Sequence, residues 1–195
     1  MNARVFIPVD KAAFYRFIAT EPDGNYEFER GRIVQQMTGG TFAHGRIARR
    51  MSMLIESQLD LGRWVVLTDR GVETAQTIRN GDVVVEPLPV APGSLSALQA
   101  AIIVEVLSPS SIGRDLDAKP EEYLPQPTLE AYIVASQTEA ACLAWVRGQD
   151  GTFPSEPVEF SGDDVIAVPK LGVALNVAEI YRGISLTTQD VPPYA

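Results

Sequence analysis

Two acidic residues stand in apolar company. Glu105 interrupts the run Ile102-Ile103-Val104-Glu105-Val106-Leu107, which has no polar alternation and reads as a strand buried on both faces. Asp82 opens a second such run, Asp82-Val83-Val84-Val85-Glu86-Pro87. A lone carboxylate in a dry core is strongly disfavoured unless it is paired, protonated or bound to a metal. Two carboxylates on neighbouring strands can share a divalent cation such as Mg²⁺, which prefers oxygen ligands and keeps several waters. A cation there would remove the penalty of burying Glu105, polarise a phosphate and activate water. Lys119 follows closely and can place a positive charge near a developing transition state. Three plainer readings stand beside this one. The acids can pair with an arginine, Asp82 can be a turn residue after Asn80-Gly81, and Lys119 can be a solvated helix residue.

The elements that must position these residues can be read from the pattern. Asp10 caps a helix over about 11–20 with Phe14, Phe17 and Ile18 on one face. Residues 26–37, YEFERGRIVQQM, read as a hairpin turning near Arg30-Gly31. Ile47, Met51, Leu54, Ile55 and Leu59 recur at helical spacing, predicting a longer helix over about 42–61 stopped by Gly62. RWVVLTD and GVETAQTI read as one bent strand or two paired ones, and DVVVEP as a third strand opened by the Asn80-Gly81 turn. A Pro- and Ser-rich loop leads to the strand of Glu105; a short helix over about 115–124 and the strand EAYIVA follow. ACLAWVRGQDGTF and EPVEFSGDDVIAVP read as hairpins turning at Gly-Gln-Asp-Gly and Ser-Gly-Asp-Asp, NVAEIYRGI as a last helix. The central order is helix, strand, strand, strand, helix, strand, which predicts an α/β mixed sheet flanked by helices.

With 195 residues, the chain reads as a single domain over 1–195, its core at about 42–136 and a loose tail at about 186–195. No apolar run approaches a membrane span, and no basic region, apolar stretch and cleavage site open the chain, so the expectation is a soluble, unexported, cytoplasmic protein. Cys142 is the single cysteine and reads as a small core residue. Trp64, Trp145, Tyr132 and Phe153 read as core or edge packing, and Ser108, Ser110 and Ser111 as loop and cap residues. The net charge of −9 argues against nucleic-acid binding by the whole surface. A local basic cluster, Arg46, Arg49 and Arg50 with Arg30 and Arg32, reads as a phosphate-contacting patch or as solvated surface.

Taken in order, YEFERGRIVQQM, His44 at the head of a helix, GDVVVEP, IIVEVLSPSS, DLDAKPEEY and LEAYIVA resemble the Uma-two family. That family is a bacterial group assigned to the PD-(D/E)XK restriction-endonuclease-like superfamily. The resemblance spans about residues 14–182, and VEVLSPSS followed by RDLDAK and a downstream tyrosine is its most specific part. It implies a restriction-endonuclease-like fold and an Mg²⁺- or Mn²⁺-dependent endonuclease acting on DNA. It implies that Asp82 and Glu105 are metal ligands and catalytic, with Lys119 and Glu27 as further catalytic members. His44 matches a recurrent histidine and is grouped with Arg46, Arg49 and Arg50 as substrate-binding, with a cap or polar contact at the helix start as the equal alternative. Leu107 occupies the position where the superfamily pattern carries its lysine, and Lys119 matches the shifted one. Gly81 stands where the pattern has proline, and Pro120 directly follows Lys119, which predicts a helix entry that holds the amine away from the acids. Apolar edge strands and the superfamily's habit suggest a homodimer. The rival readings are a catalytically inactive nuclease-fold module that dimerises or binds a partner, and a hydrolase of small phosphorylated substrates.

Overall fold

The computed structural model describes residues 8–21, 23–36, 40–107 and 114–186, without the side chains of residues 114 and 115. The expected tail, from residue 187 onward, and Ser108, Ser110 and Ser111 lie outside the described residues. Helix α1 (Lys11–Thr20) is capped by the Asp10 carboxylate, which accepts from the Ala13 N–H at 2.6 Å. It packs Phe14 on Phe28 of the hairpin β1 (Tyr26–Glu29) and β2 (Arg32–Gln35). Helix α2 (Phe42–Glu56) is capped by Thr41 and ends earlier than the periodicity predicts. Ser57 Oγ and Gln58 Nε2 both donate to the Leu54 carbonyl, at 3.0 and 2.8 Å, and close the helix end.

Strand β3 (Trp64–Glu73) pairs antiparallel with β4 (Thr77–Pro87) along nearly its whole length. Asn80-Gly81 is therefore not a turn but lies inside β4. The turn falls at 74–77, where Thr74 Oγ1 accepts from the Thr77 N–H at 3.1 Å and the Thr74 N–H donates to the Thr77 carbonyl at 2.9 Å. A side chain at Gly81 would begin 2.8 Å from Val84 Cγ2 and 3.4 Å from Ile103 Cγ2, so glycine fits the packing there.

The two strands change faces together. Trp64, Val66, Val83 and Val85 pack with α2, whereas Val72 belongs to the opposite cluster and its ladder partner Arg79 reaches Glu122 on that side. Thr68 faces Val83 and Arg70 faces Gly81, and the ladder skips the rung between, Asp69 opposite Asp82. Asp69 has φ of 51°, the left-handed region that aspartate tolerates better than most residues.

The rest of the sheet follows in the order β2-β1-β4-β6-β7-β8-β9, with the short β5 (Ser96–Ala97) beside β3. Strand β6 (Ile102–Val106) runs antiparallel to β4 and parallel to β7 (Ala131–Ala135). Strand β8 (Ala141–Val146) pairs with β9 (Val158–Ser161) across a long connection, so the 148–151 turn lies within that loop and is not the turn of a hairpin that returns at Thr152-Phe153. The Ser161–Asp164 turn joins strands of different sheets, because β10 (Val165–Val168) pairs with β11 (Val173–Asn176). Helix α2, the β10–β11 hairpin and α4 (Val177–Tyr181) cover one face of the large sheet. Tyr123 of α3 (Lys119–Tyr123) packs on the other with Tyr132 and Trp145. A mixed sheet flanked by helices is thus the architecture. Among the described residues no helix is long and apolar enough to cross a membrane.

Candidate active site

Strand β4 has one edge occupied by β3 and the other shared by two strands. β1 pairs with it at Thr77 and Ile78, β6 at Val83 to Val85. Between them, residues 79–82 face a fork where β1 and β6 part. A fork leaves main-chain donors without ladder partners, and here carboxylates take them. Glu27 Oε1 accepts from the Asn80 N–H at 3.0 Å, and Asp82 Oδ2 accepts from the Val106 N–H at 2.6 Å. Continuing the β4–β6 register by one step past Val83 and Val104 sets Asp82 opposite Glu105. The sequence reading of these acids on neighbouring strands therefore matches where the structure places them.

The β6 wall carries Glu105, 4% exposed, on the same face as Ile103. Lys119 Nζ lies 2.7 Å from Glu105 Oε1 and is equally buried. Lys119 is thus a pairing partner of Glu105. Pro120 does not hold the amine away. A five-residue π-helical turn, Arg114–Ala118, runs directly into α3, and Ala118 at the α3 cap is already helical. The wider turn relieves the clash of a proline ring with the carbonyl one turn back, so the helix continues through Lys119-Pro120.

Asp82 turns to the α2 side, where its Oδ1 lies 3.2 Å from His44 Nε2. Thr41, the N-cap of α2, accepts from the His44 N–H at 3.1 Å and fixes the first turn that carries the imidazole. Asp69 stands across the skipped rung. Burial first, then the negative charge of Asp82, raises its carboxyl above the usual aspartate range, and His44 opposes that shift. Sequence reasoning missed Asp69.

It also missed Arg79, which dominates the β1 wall. This guanidinium, 4% exposed, donates to Glu122 from Nε and Nη2, both at 2.9 Å, to Glu27 at 3.3 Å, and to Glu29. Burial works against its charge, but Glu122, Glu27 and Glu29 raise its pKa above the ordinary arginine value. Burial alone would raise the Glu122 carboxyl; the Arg79 guanidinium instead holds it below the usual range, with help from Thr77. Glu27 also accepts from Gln36 Nε2 at 3.0 Å. The structure therefore places Glu27 at the fork, with its oxygens facing Arg79, Asn80 and Gln36.

The basic cluster lies on the outer side of α2. Arg46 stands over the Phe42 ring at 5.9 Å, Arg50 donates to the Arg182 carbonyl at 3.4 Å, and Arg49 is exposed. Cys142 is buried, and burial pushes its thiol up to about 11, the state of an inert core residue.

Among the described residues no three His, Cys, Asp or Glu side chains converge as ligands of one ion. Two opposed carboxylates are nonetheless a donor set suited to a hydrated, oxygen-preferring divalent cation, which needs few protein ligands. By donor chemistry the acids suit such an ion, while their side chains leave the sheet on different sides, Asp82 toward His44 of α2 and Glu105 toward Lys119 of α3.

Comparison with known proteins agrees with this frame. A crystal structure from Anabaena variabilis, described as a "putative nuclease belonging to DUF820", superposes with a TM-score of 0.66, covering 89% of this chain and 98% of that one at 16% identity. It shares the fold. An uncharacterised protein of Synechocystis is 27% identical over 164 residues, 82% of this chain and 85% of that protein. Residues 12–178, which include both walls of the fork, match the Uma2 (Uma-two) family, described as "putative restriction endonuclease", and the chain belongs to that family.

Proposed function

We propose that the protein is a metal-dependent endonuclease that hydrolyses phosphodiester bonds in DNA. The observation that carries this reading is the buried Glu105–Lys119 pair standing in register with Asp82 at the open fork. Mg²⁺ or Mn²⁺ held by Asp82 and Glu105 would polarise the phosphate and lower the pKa of a bound water. Lys119, released from Glu105 when that carboxylate has another positive partner, stabilises the charge that develops on the phosphoryl oxygens. His44 orients Asp82 and meets the substrate side of the site. Glu27 assists from the opposite wall by fixing Asn80 and Arg79. Arg46, Arg49 and Arg50 contact the DNA backbone, a local attraction on a chain whose net charge is −9.

Glu105→Gln tests the reading, because the amide keeps the shape and an acceptor for Lys119 but loses the charge. The variant should remain folded by circular dichroism, lose Mn²⁺ binding in calorimetry and lose cleavage of plasmid DNA. Unchanged Mn²⁺ affinity would overturn the metal site. The net acidity favours a second reading, a nuclease-fold module without activity that binds a partner. A wild type that cuts no DNA in Mg²⁺ or Mn²⁺ would select it.

A further inference from the structure

Tyr123 is fully buried, and its hydroxyl oxygen has no hydrogen-bond partner among the described residues. Two other tyrosines that are buried or half-buried are served. The Tyr181 hydroxyl donates to the Ser136 and Ala141 carbonyls, both at 2.7 Å, and the Tyr15 hydroxyl donates to Glu73 at 2.6 Å. A phenylalanine would pack the same ring on Tyr132 without leaving a polar atom over. Buried polar groups in native proteins almost always meet protein or ordered water, so this exception needs a reason.

The surroundings of the ring supply one. Tyr123 is four residues after Lys119 on α3 and so shares its face. Lys119 reaches Glu105. The Tyr123 ring stands edge-on to Tyr132 at 5.3 Å, and Tyr132 is the β7 neighbour of Ile103, two residues before Glu105 on the same sheet face. The phenol thus lies on the sheet face that carries Glu105, on the α3 side of the fork. Burial first, then the negative charges of Glu105 and Glu27, raises its pKa well above the ordinary value against the pull of Arg79. A phenol is protonated at neutral pH, so the buried hydroxyl is a donor with no acceptor met among the described residues.

We propose that the Tyr123 hydroxyl is a binding group of the candidate site, donating to a water molecule shared with a carboxylate oxygen of Glu105 or Glu27. On the nuclease reading, to which this part of the inference is tied, the water is one that a cation at Glu105 retains, and Tyr123 is a positioning residue for it.

A wild-type crystal that resolves ordered water, together with Tyr123→Phe, tests this. The expected density is a water within about 3.2 Å of the Tyr123 hydroxyl and of a Glu105 or Glu27 carboxylate oxygen. The variant should lose that water, melt no higher than the wild type, and bind Mn²⁺ about tenfold or more weakly in calorimetry. A hydroxyl that meets no water, or a variant that melts higher, overturns the site, because deleting a truly unsatisfied polar group is stabilising. Equal Mn²⁺ affinity in the two proteins overturns the positioning role. A wild type that binds no Mn²⁺ sinks the nuclease reading instead, and leaves the water and the melting comparison to decide the site.

Discussion

The two walls of the fork hold acids in opposite ways. On the β1 side, Glu27, Glu29 and Glu122 surround one guanidinium that meets Glu122 from Nε and Nη2 and the other two from Nη1. On the β6 side, Glu105 faces a lysine ammonium, and Asp82 faces an imidazole across from Asp69. Arginine is always charged and presents rigid, directional donors; lysine is a point charge on a flexible stem. The first cluster is therefore a fixed joint tying β1, β4 and α3 together. The second has a partner that can move when another positive charge reaches the carboxylate. Three acids stand on each side, and the basic residue set against them marks the difference between a fixed joint and a pair that can open.

The sharpest way to break that contrast is to remove each cation in turn. Arg79→Met leaves buried carboxylates without their partner and should cost about 3–5 kcal/mol in urea unfolding, the scale of breaking a buried ion pair. A loss under about 1 kcal/mol would mean the joint is not structural. Lys119→Met should instead be a conditional defect. Without metal it takes a buried cation from beside Glu105 and melts below the wild type. Mn²⁺ should then raise its melting temperature by more than it raises that of the wild type, because the ion replaces the missing charge. Cleavage should fall roughly 100-fold with Mn²⁺ binding retained, as when one charge-stabilising group is removed. A Lys119→Met protein that cuts as well as wild type would keep the enzyme and discard this lysine.

This contrast was half legible in the sequence. Asp82 and Glu105 declare themselves because each breaks an apolar run, and the strand order that makes them neighbours follows from the alternation of elements. Lys119 was visible through family resemblance, yet Pro120 pointed the wrong way, since nothing local announces a π-helical turn. Arg79 was invisible for a different reason. Its partners lie 43 to 52 positions away, and an arginine inside a strand carries no sign of which acids will fold around it. Asp69 was hidden by parity. Trp64, Val66 and Val72 are all even-numbered, so an unbroken strand would put them on one face. The left-handed residue between them reverses the face without disturbing the pattern. Asn80-Gly81 misled in the opposite direction, as a strong turn signal overridden by the long β3–β4 ladder.

The arginines of α2 form a third kind of cationic group, free of the fork, and their effect should be smaller. Arg46→Ala, Arg49→Ala and Arg50→Ala combined should leave stability and Mn²⁺ binding nearly unchanged. The salt dependence of DNA binding should become shallower by roughly one unit for each phosphate that is no longer neutralised. Arg49, the exposed member, should account for more of the change than Arg46, which is engaged with Phe42. An unaltered slope in the triple variant would place the DNA elsewhere.

Asp69 gives the finest test, because it adds a negative charge to the side of the fork that already holds Asp82. Its folded-state pKa is raised, mainly by burial and then by Asp82. A raised carboxyl means that the folded state binds the proton more tightly than the unfolded one. The ionised group therefore lowers stability as pH rises above the ordinary aspartate value of about 3.9. Asn tolerates the same left-handed backbone, so Asp69→Asn removes the charge without straining the turn. The variant should melt higher than wild type at neutral pH by an amount equivalent to about half a kcal/mol or less, since the residue is partly solvated and screened. The gain should vanish as pH falls below the ordinary aspartate range, where Asp69 is protonated in either state. A variant that melts lower at neutral pH would show that His44, as a cation, holds Asp69 and Asp82 together. The β6 side would then be a closed ion cluster like its neighbour, and the distinction between the walls would fall.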